Sequence, residues 1–168
     1  MADVYRLSTW LWLPHPRTEV FAFFADAHNL ERITPPFLKF RLLADGPIAM
    51  HRGATIDYRL GLHGIPMSWR SEITGWNPPD GFVDEQRRGP YAEWVHTHRF
   101  ADTDGGTRVT DEVRYRLRGP DFATRIINAL LVEPDTRRIF EFRHRALEDA
   151  FGAGGAARSG PVTISRGR

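Results

Sequence analysis

Tyr91-Ala92-Glu93-Trp94-Val95-His96-Thr97-His98-Arg99-Phe100 alternates in character from one residue to the next. In extended backbone, successive side chains point to opposite faces. Trp94, His96, His98 and Phe100 therefore share one face, with Glu93, Thr97 and Arg99 on the other. A plain core does not call for two imidazoles among its aromatics. This face predicts a pocket wall with a polar patch in it.

The segments on either side register against this strand through their turns. Residues 82–87 read as a strand joined to it across Arg88-Gly89-Pro90, which sets Gln86 beside Trp94 and Asp84 beside His96. A slip of one residue would flip a whole set to the wrong face. On the other side, Asp102-Thr103-Asp104-Gly105-Gly106 is a hairpin turn. It leads into a strand over 107–117, with Val109, Asp111, Val113 and Tyr115 on one face and Arg108, Glu112, Arg114 and Arg116 on the wet one. Asp111 falls beside His98 or His96. The expected cluster is Asp84, Gln86, His96, His98 and Asp111, with Trp69, Trp94 and Tyr115 around it.

Further out, residues 54–62 carry Ile56, Tyr58, Leu60 and Leu62 on one face. Residues 65–76 carry Met67, Trp69, Ser71 and Ile73. Asn77-Pro78-Pro79-Asp80-Gly81 breaks the chain before the next strand. Residues 37–43 form another strand and 3–13 the first. Between those two, Pro14 and Pro16 open a short helix striped by Val20, Phe21 and Phe24, and Asp26 caps a second one ending at Thr34-Pro35-Pro36. After Gly119-Pro120 a helical stretch runs to about 132. Pro134 interrupts it, either kinking the helix or starting a new one at its first turn, and the longest helix follows over about 135–151. Its inward stripe is Ile139, Phe140, Arg143, Ala146, Leu147, Ala150 and Phe151. Residues 152–168, rich in Gly, Ala and Ser, are expected to be a mobile tail.

With 168 residues the chain predicts one domain over 1–151. It has no cysteine, which excludes disulfides, thiolate metal sites and a cysteine nucleophile. Net charge is +2 and Lys39 is the only lysine, with the arginines scattered, so no nucleic-acid footprint emerges. The apolar run 7–13 is too short to span a membrane and lacks a signal-peptide cleavage pattern. The expectation is a cytoplasmic bacterial-type protein without membrane insertion. Its oligomeric state is left open.

The His–Asp cluster admits four readings. It is a structural network satisfying buried polar groups, or the polar contacts that orient a mostly apolar ligand. It is a facial triad for a metal ion, or a general acid–base site with His98 acting and Asp111 orienting it, for dehydration or cyclisation of a carbonyl compound. No second motif with metal-ligand spacing accompanies His-x-His, so neither a metal nor any other cofactor is expected.

The order of strand, two short helices, six strands and a long helix resembles the helix-grip fold of the SRPBCC superfamily, which includes START domains, pollen-allergen-like proteins and polyketide cyclases. More narrowly it is similar to the small bacterial ligand-binding SRPBCC or cyclase/dehydrase-like group. The residues that carry this are 20–26 with Asn29-Leu30, Gly53 with Ile56-Asp57-Tyr58, Gly64-Ile65-Pro66 with Trp69, Pro78-Pro79 with 82–86, Gly89-Pro90-Tyr91 with Trp94, His96, His98 and Phe100, and Gly106-Thr107 with Asp111. The resemblance implies an α+β fold, a seven-stranded antiparallel sheet curled around the C-terminal helix with a cavity between. It also implies binding of a small hydrophobic molecule. It carries no catalytic residues across. The expectation is a binding or carrier module, with a metal-free cyclase or dehydratase and a protein-interaction module as the alternatives.

Overall fold

The computed structural model describes residues 3–167. The first strand, β1 (Val4–Leu13), is followed by α1 (Arg17–Phe24) and two single 3-10 turns, Ala27–Leu30 and Pro36–Leu38. Then come β2 (Arg41–Leu42), β3 (Thr55–Leu62), β4 (Ile65–Asn77), β5 (Gly81–Arg88), β6 (Glu93–Thr103) and β7 (Gly106–Arg116). The helical region is α2 (Asp121–Ile127), a π-helical turn (Asn128–Val132) and α3 (Glu133–Ala150), and two short strands follow, β8 (Arg158–Ser159) and β9 (Thr163–Gly167). All nine strands join one antiparallel sheet in the order β2-β3-β4-β5-β6-β7-β1-β8, with β9 also on β1.

The turns follow from their residues. His63-Gly64 and Asp104-Gly105 both take positive φ, and each closes a two-residue hairpin, Leu62 to Ile65 and Thr103 to Gly106. Such turns match the twist of the strands they join. Two register shifts in β4, at Arg70/Ser71 and Ile73/Gly75, bend the sheet. On its concave side α1 and α3 pack across the bend. Phe21 and Phe24 meet Phe100 edge-on, and Phe140 and Leu147 of α3 are buried against the sheet.

Two expectations need correction. The sheet has nine strands, where seven were expected. The segment expected to be a mobile tail is ordered along the free edge of β1. Thr163–Gly167 pairs with Val4–Ser8, Gly160 N–H donates to Trp10 C=O, Val162 is buried and its carbonyl accepts from Arg137. The physical reason is that β1 otherwise presents a row of unpaired backbone groups. Val162-Thr163-Ile164 supplies the β-formers to cover it. Pro134 sits in the first turn of α3, one of the two roles expected for it, and the π-helical turn before it keeps the chain helical. This stretch leaves Phe122, Ile126, Ile127, Leu130 and Leu131 exposed. No helix of the described residues is long and apolar enough to cross a membrane.

Candidate functional site

The bend holds a partly open cavity of about 190 Å³ between the inner face of the sheet, α1 and α3. One water needs only about 10–15 Å³ on this measure, so the space suits an organic molecule. Every inward residue read from β3 and β4 lines it: Ile56, Tyr58, Leu60 and Leu62, then Met67, Trp69, Ser71 and Ile73. From α3 come Thr136, Ile139, Phe140 and Arg143, at helical spacing. Trp69 meets Trp94 edge-on at 5.6 Å and lies parallel to Tyr58 at 5.9 Å, forming an aromatic wall.

The polar end is built by register. Asp84 lies opposite His96, and His98 opposite Asp111. The two imidazoles lie 3.8 Å apart, centre to centre. Each bridges the two carboxylates. His96 Nε2 donates to Asp111 Oδ1 at 2.9 Å, with its Nδ1 at 3.8 Å from Asp84 Oδ2. His98 Nε2 donates to Asp84 Oδ2 at 3.1 Å. His98 Nδ1 stands 3.0 Å from Asp111 Oδ1, too oblique for a hydrogen bond, and finds no aligned acceptor among the described residues. Trp69 Nε1 donates to Ser71 Oγ, which donates to Asp84 Oδ1. Arg143 reaches in from α3, its Nη2 3.9 Å from Asp111 and its guanidinium over Phe24.

Burial opposes every charge here. It raises the Asp111 carboxyl, but Arg143 and both imidazoles outweigh it and hold the group well below the usual carboxylate range. Burial also pushes Asp84 up, and the hydrogen bond from His98 with the nearby cationic groups brings it below its ordinary value. For His98, burial favours the neutral ring. The two carboxylates overcome that, and its pKa rises. For His96, burial together with the neighbouring His98 prevails over Asp111, and its pKa falls. The two rings are thus pushed apart: His98 tends to hold a proton and His96 tends to stay neutral.

Of the residues expected at the site, Trp69, Asp84, Trp94, His96 and His98 line the cavity. Asp111 does not. It lies beneath the imidazoles, 2% exposed, and acts through them. Gln86 turns away to bond both backbone groups of Tyr91. Tyr115 stacks on Tyr5 and donates to Asn128. Phe24, Tyr58, Tyr91, Phe140 and Arg143 also line the cavity and were not among the expected site residues. The inward stripe of α3 was the signal for Phe140 and Arg143, and the alternation of β3 for Tyr58.

The sequence profile of the family described as "Polyketide cyclase / dehydrase and lipid transport" matches residues 13–146. The chain belongs to this family. No curated protein matches it. Solved structures share the fold at low identity. The protein TTHA0849 from Thermus thermophilus is 20% identical, covering 89% of this chain and 99% of that one, with TM-score 0.65. Ginseng major latex-like protein 151 from Panax ginseng is 15% identical over 88% and 97%, with TM-score 0.64. The nucleoside-diphosphate sugar epimerase from Corynebacterium glutamicum is 24% identical over 84% of this chain but only 28% of its own, with TM-score 0.57. Their likeness shows the fold, a helix-grip architecture, over most of the chain.

Proposed function

We propose that the protein binds or carries a small, mostly apolar molecule in this cavity, with one polar group of the ligand set against Asp84, His96, His98 and Arg143. The observation that carries the reading is the division of a single cavity. Aromatic and aliphatic side chains line most of it, and the charged groups converge at one end. Such sites bind by apolar burial and orient by a few polar contacts. The family description, with its lipid transport, supports a hydrophobic ligand.

Native mass spectrometry of the freshly purified protein, beside its denatured mass, tests this. A co-purified organic mass that leaves on denaturation is the expected result. If none appears, a panel of hydrophobic ligands titrated against Trp69 and Trp94 fluorescence must quench saturably. Absence of both results would remove the reading.

The opposed shifts of His96 and His98 favour a second reading, cyclisation or dehydration of a carbonyl compound. One ring would act as base and the other as acid, because two titratable groups driven apart are what such chemistry uses. His98→Ala separates the two. A carrier changes affinity, whereas an enzyme loses turnover by about 10²–10⁴-fold. The exposed apolar residues of α2 and the turn after it give the protein-interaction alternative its support.

A further inference from the structure

We infer that Asp84, His96 and His98 form a binding site for one borderline divalent transition-metal ion, of the iron(II) or zinc(II) type, at the polar end of the cavity. One ligand atom from each of the three residues lies within 4.8 Å of the other two. An ion with bonds of about 2.1 Å keeps neighbouring donors roughly 3.0–3.4 Å apart. His98 Nε2 and Asp84 Oδ2 stand at 3.1 Å, and His96 Nδ1 and Asp84 Oδ2 at 3.8 Å. The His96 ring must close toward the other two donors, the three lying within 4.8 Å of one another.

The stronger argument is what stands behind each donor. Metal-binding imidazoles are ordinarily held through their far nitrogen by a carboxylate, which fixes the ring and raises its basicity. Here the far nitrogen of His96, Nε2, donates to Asp111 Oδ1 at 2.9 Å, and that of His98, Nδ1, stands 3.0 Å from the same oxygen but oblique to it. The third donor, Asp84, has its other oxygen fixed by Ser71, itself fixed by Trp69. His98 Nε2 and Asp84 Oδ2, hydrogen-bonded to each other at 3.1 Å, and His96 Nδ1, 3.8 Å from the same carboxylate oxygen, face one point, and an ion there would replace that one hydrogen bond. Two imidazoles and one carboxylate suit iron(II), cobalt(II) or zinc(II). They suit neither the all-oxygen ions nor copper(I). The three ligands all line the cavity, so the remaining coordination positions open toward its contents. Arg143 opposes a cation, and its nearest carboxylate is Asp111 at 3.9 Å.

The test uses full-length protein stripped with chelator and then titrated with cobalt(II), followed by its visible d–d absorption. One equivalent should saturate the wild type. Asp84→Asn and His98→Gln should abolish the band. Asp111→Asn leaves all three donors in place and should weaken binding about 10–100-fold. Arg143→Met should tighten it. Circular dichroism reports whether each variant folds, and the wild-type titration stands without any of them. Absence of a saturable band in the wild type overturns the inference. So does a band that survives in folded Asp84→Asn and His98→Gln, since the ion then sits elsewhere.

Discussion

Asp111→Asn removes one charge and keeps the shape of the side chain. Asp111 is 2% exposed, so water cannot take its place. It faces His96 Nε2 at 2.9 Å, His98 Nδ1 at 3.0 Å and Arg143 Nη2 at 3.9 Å. With His98 protonated, the two carboxylates balance one imidazolium and one guanidinium. Asparagine leaves one of those cations uncompensated in a desolvated place. Removing one partner from a buried ion network costs about 3–5 kcal/mol. In a domain of this size each kcal/mol is worth about 2–4 °C in melting midpoint, so the midpoint should fall by roughly 10 °C.

The pH dependence has a sign. Asp111 has a depressed folded pKa, so its contribution is present above the unfolded value near 3.9 and fades as pH falls through the folded one. His98 has a raised folded pKa. Its contribution is full below about 6.5 and is lost as pH rises through the folded value. The gap between wild type and variant is therefore widest from about pH 4 to about pH 6.5. Thermal melts by circular dichroism at about pH 5 and about pH 8 measure it. A variant melting within about 2 °C of wild type at both would refute the charged network and the coupling drawn from it.

Three further outcomes follow from packing. A Cβ at Gly81 would collide with the His98 carbonyl oxygen, which is backbone and cannot swing aside. Gly81→Ala should cost about 1–3 kcal/mol in urea unfolding, and an unchanged midpoint would show that β5 and β6 do not pack as described. Ile139→Trp, filling the cavity from α3, should abolish quenching by hydrophobic ligands while the far-ultraviolet spectrum is kept; retained quenching places the ligand outside the cavity. Deleting 153–168 uncovers the edge of β1 and removes buried Val162, worth about 1.5–3 kcal/mol by itself. The truncated chain should melt lower and aggregate sooner in light scattering, and equal stability would return the segment to the role of a mobile tail.

The inner face of the sheet was legible because a strand repeats every two residues. Ile56 to Leu62 and Met67 to Ile73 alternate, and the structure turns each expected side chain inward. The pairing of Asp84 with His96, and of Asp111 with His98, followed from counting across turns. What counting could not supply was depth. Gln86, Asp111 and Tyr115 share the inner face but lie off the cavity, because a neighbouring side chain or backbone group takes their polar atoms first. Strand period gives the face of a residue and says nothing of what lies above it. Arg143 was visible only as a cation on an apolar stripe, since its carboxylate partner is 32 residues earlier and on another element. The final strands were hidden by composition. Glycine and alanine dominate 152–157, and the short run Val162-Thr163-Ile164 finds its strand partner, β1, at the opposite end of the chain.

The depth of the cluster decides how its members separate by experiment. Asp111 lies beneath the two imidazoles, the imidazoles form the middle layer, and the Asp84 side chain, 18% exposed, meets the cavity. A charge removed at the bottom acts through the rings, so stability should respond more than ligand affinity. A charge removed at the top leaves Arg143 and Asp111 paired and acts where the side chain meets the cavity, so Asp84→Asn should cost less stability than Asp111→Asn and change what the cavity accepts. A network serving the fold alone predicts no such division, because Asp84 and Asp111 each hold one histidine by one hydrogen bond. Comparing the two asparagine variants in melting and in ligand titration therefore tests whether the carboxylates have different work. If both lose stability alike and neither changes binding, the cluster is a structural pin, and the ligand is held by the aromatic wall of Trp69 and Trp94.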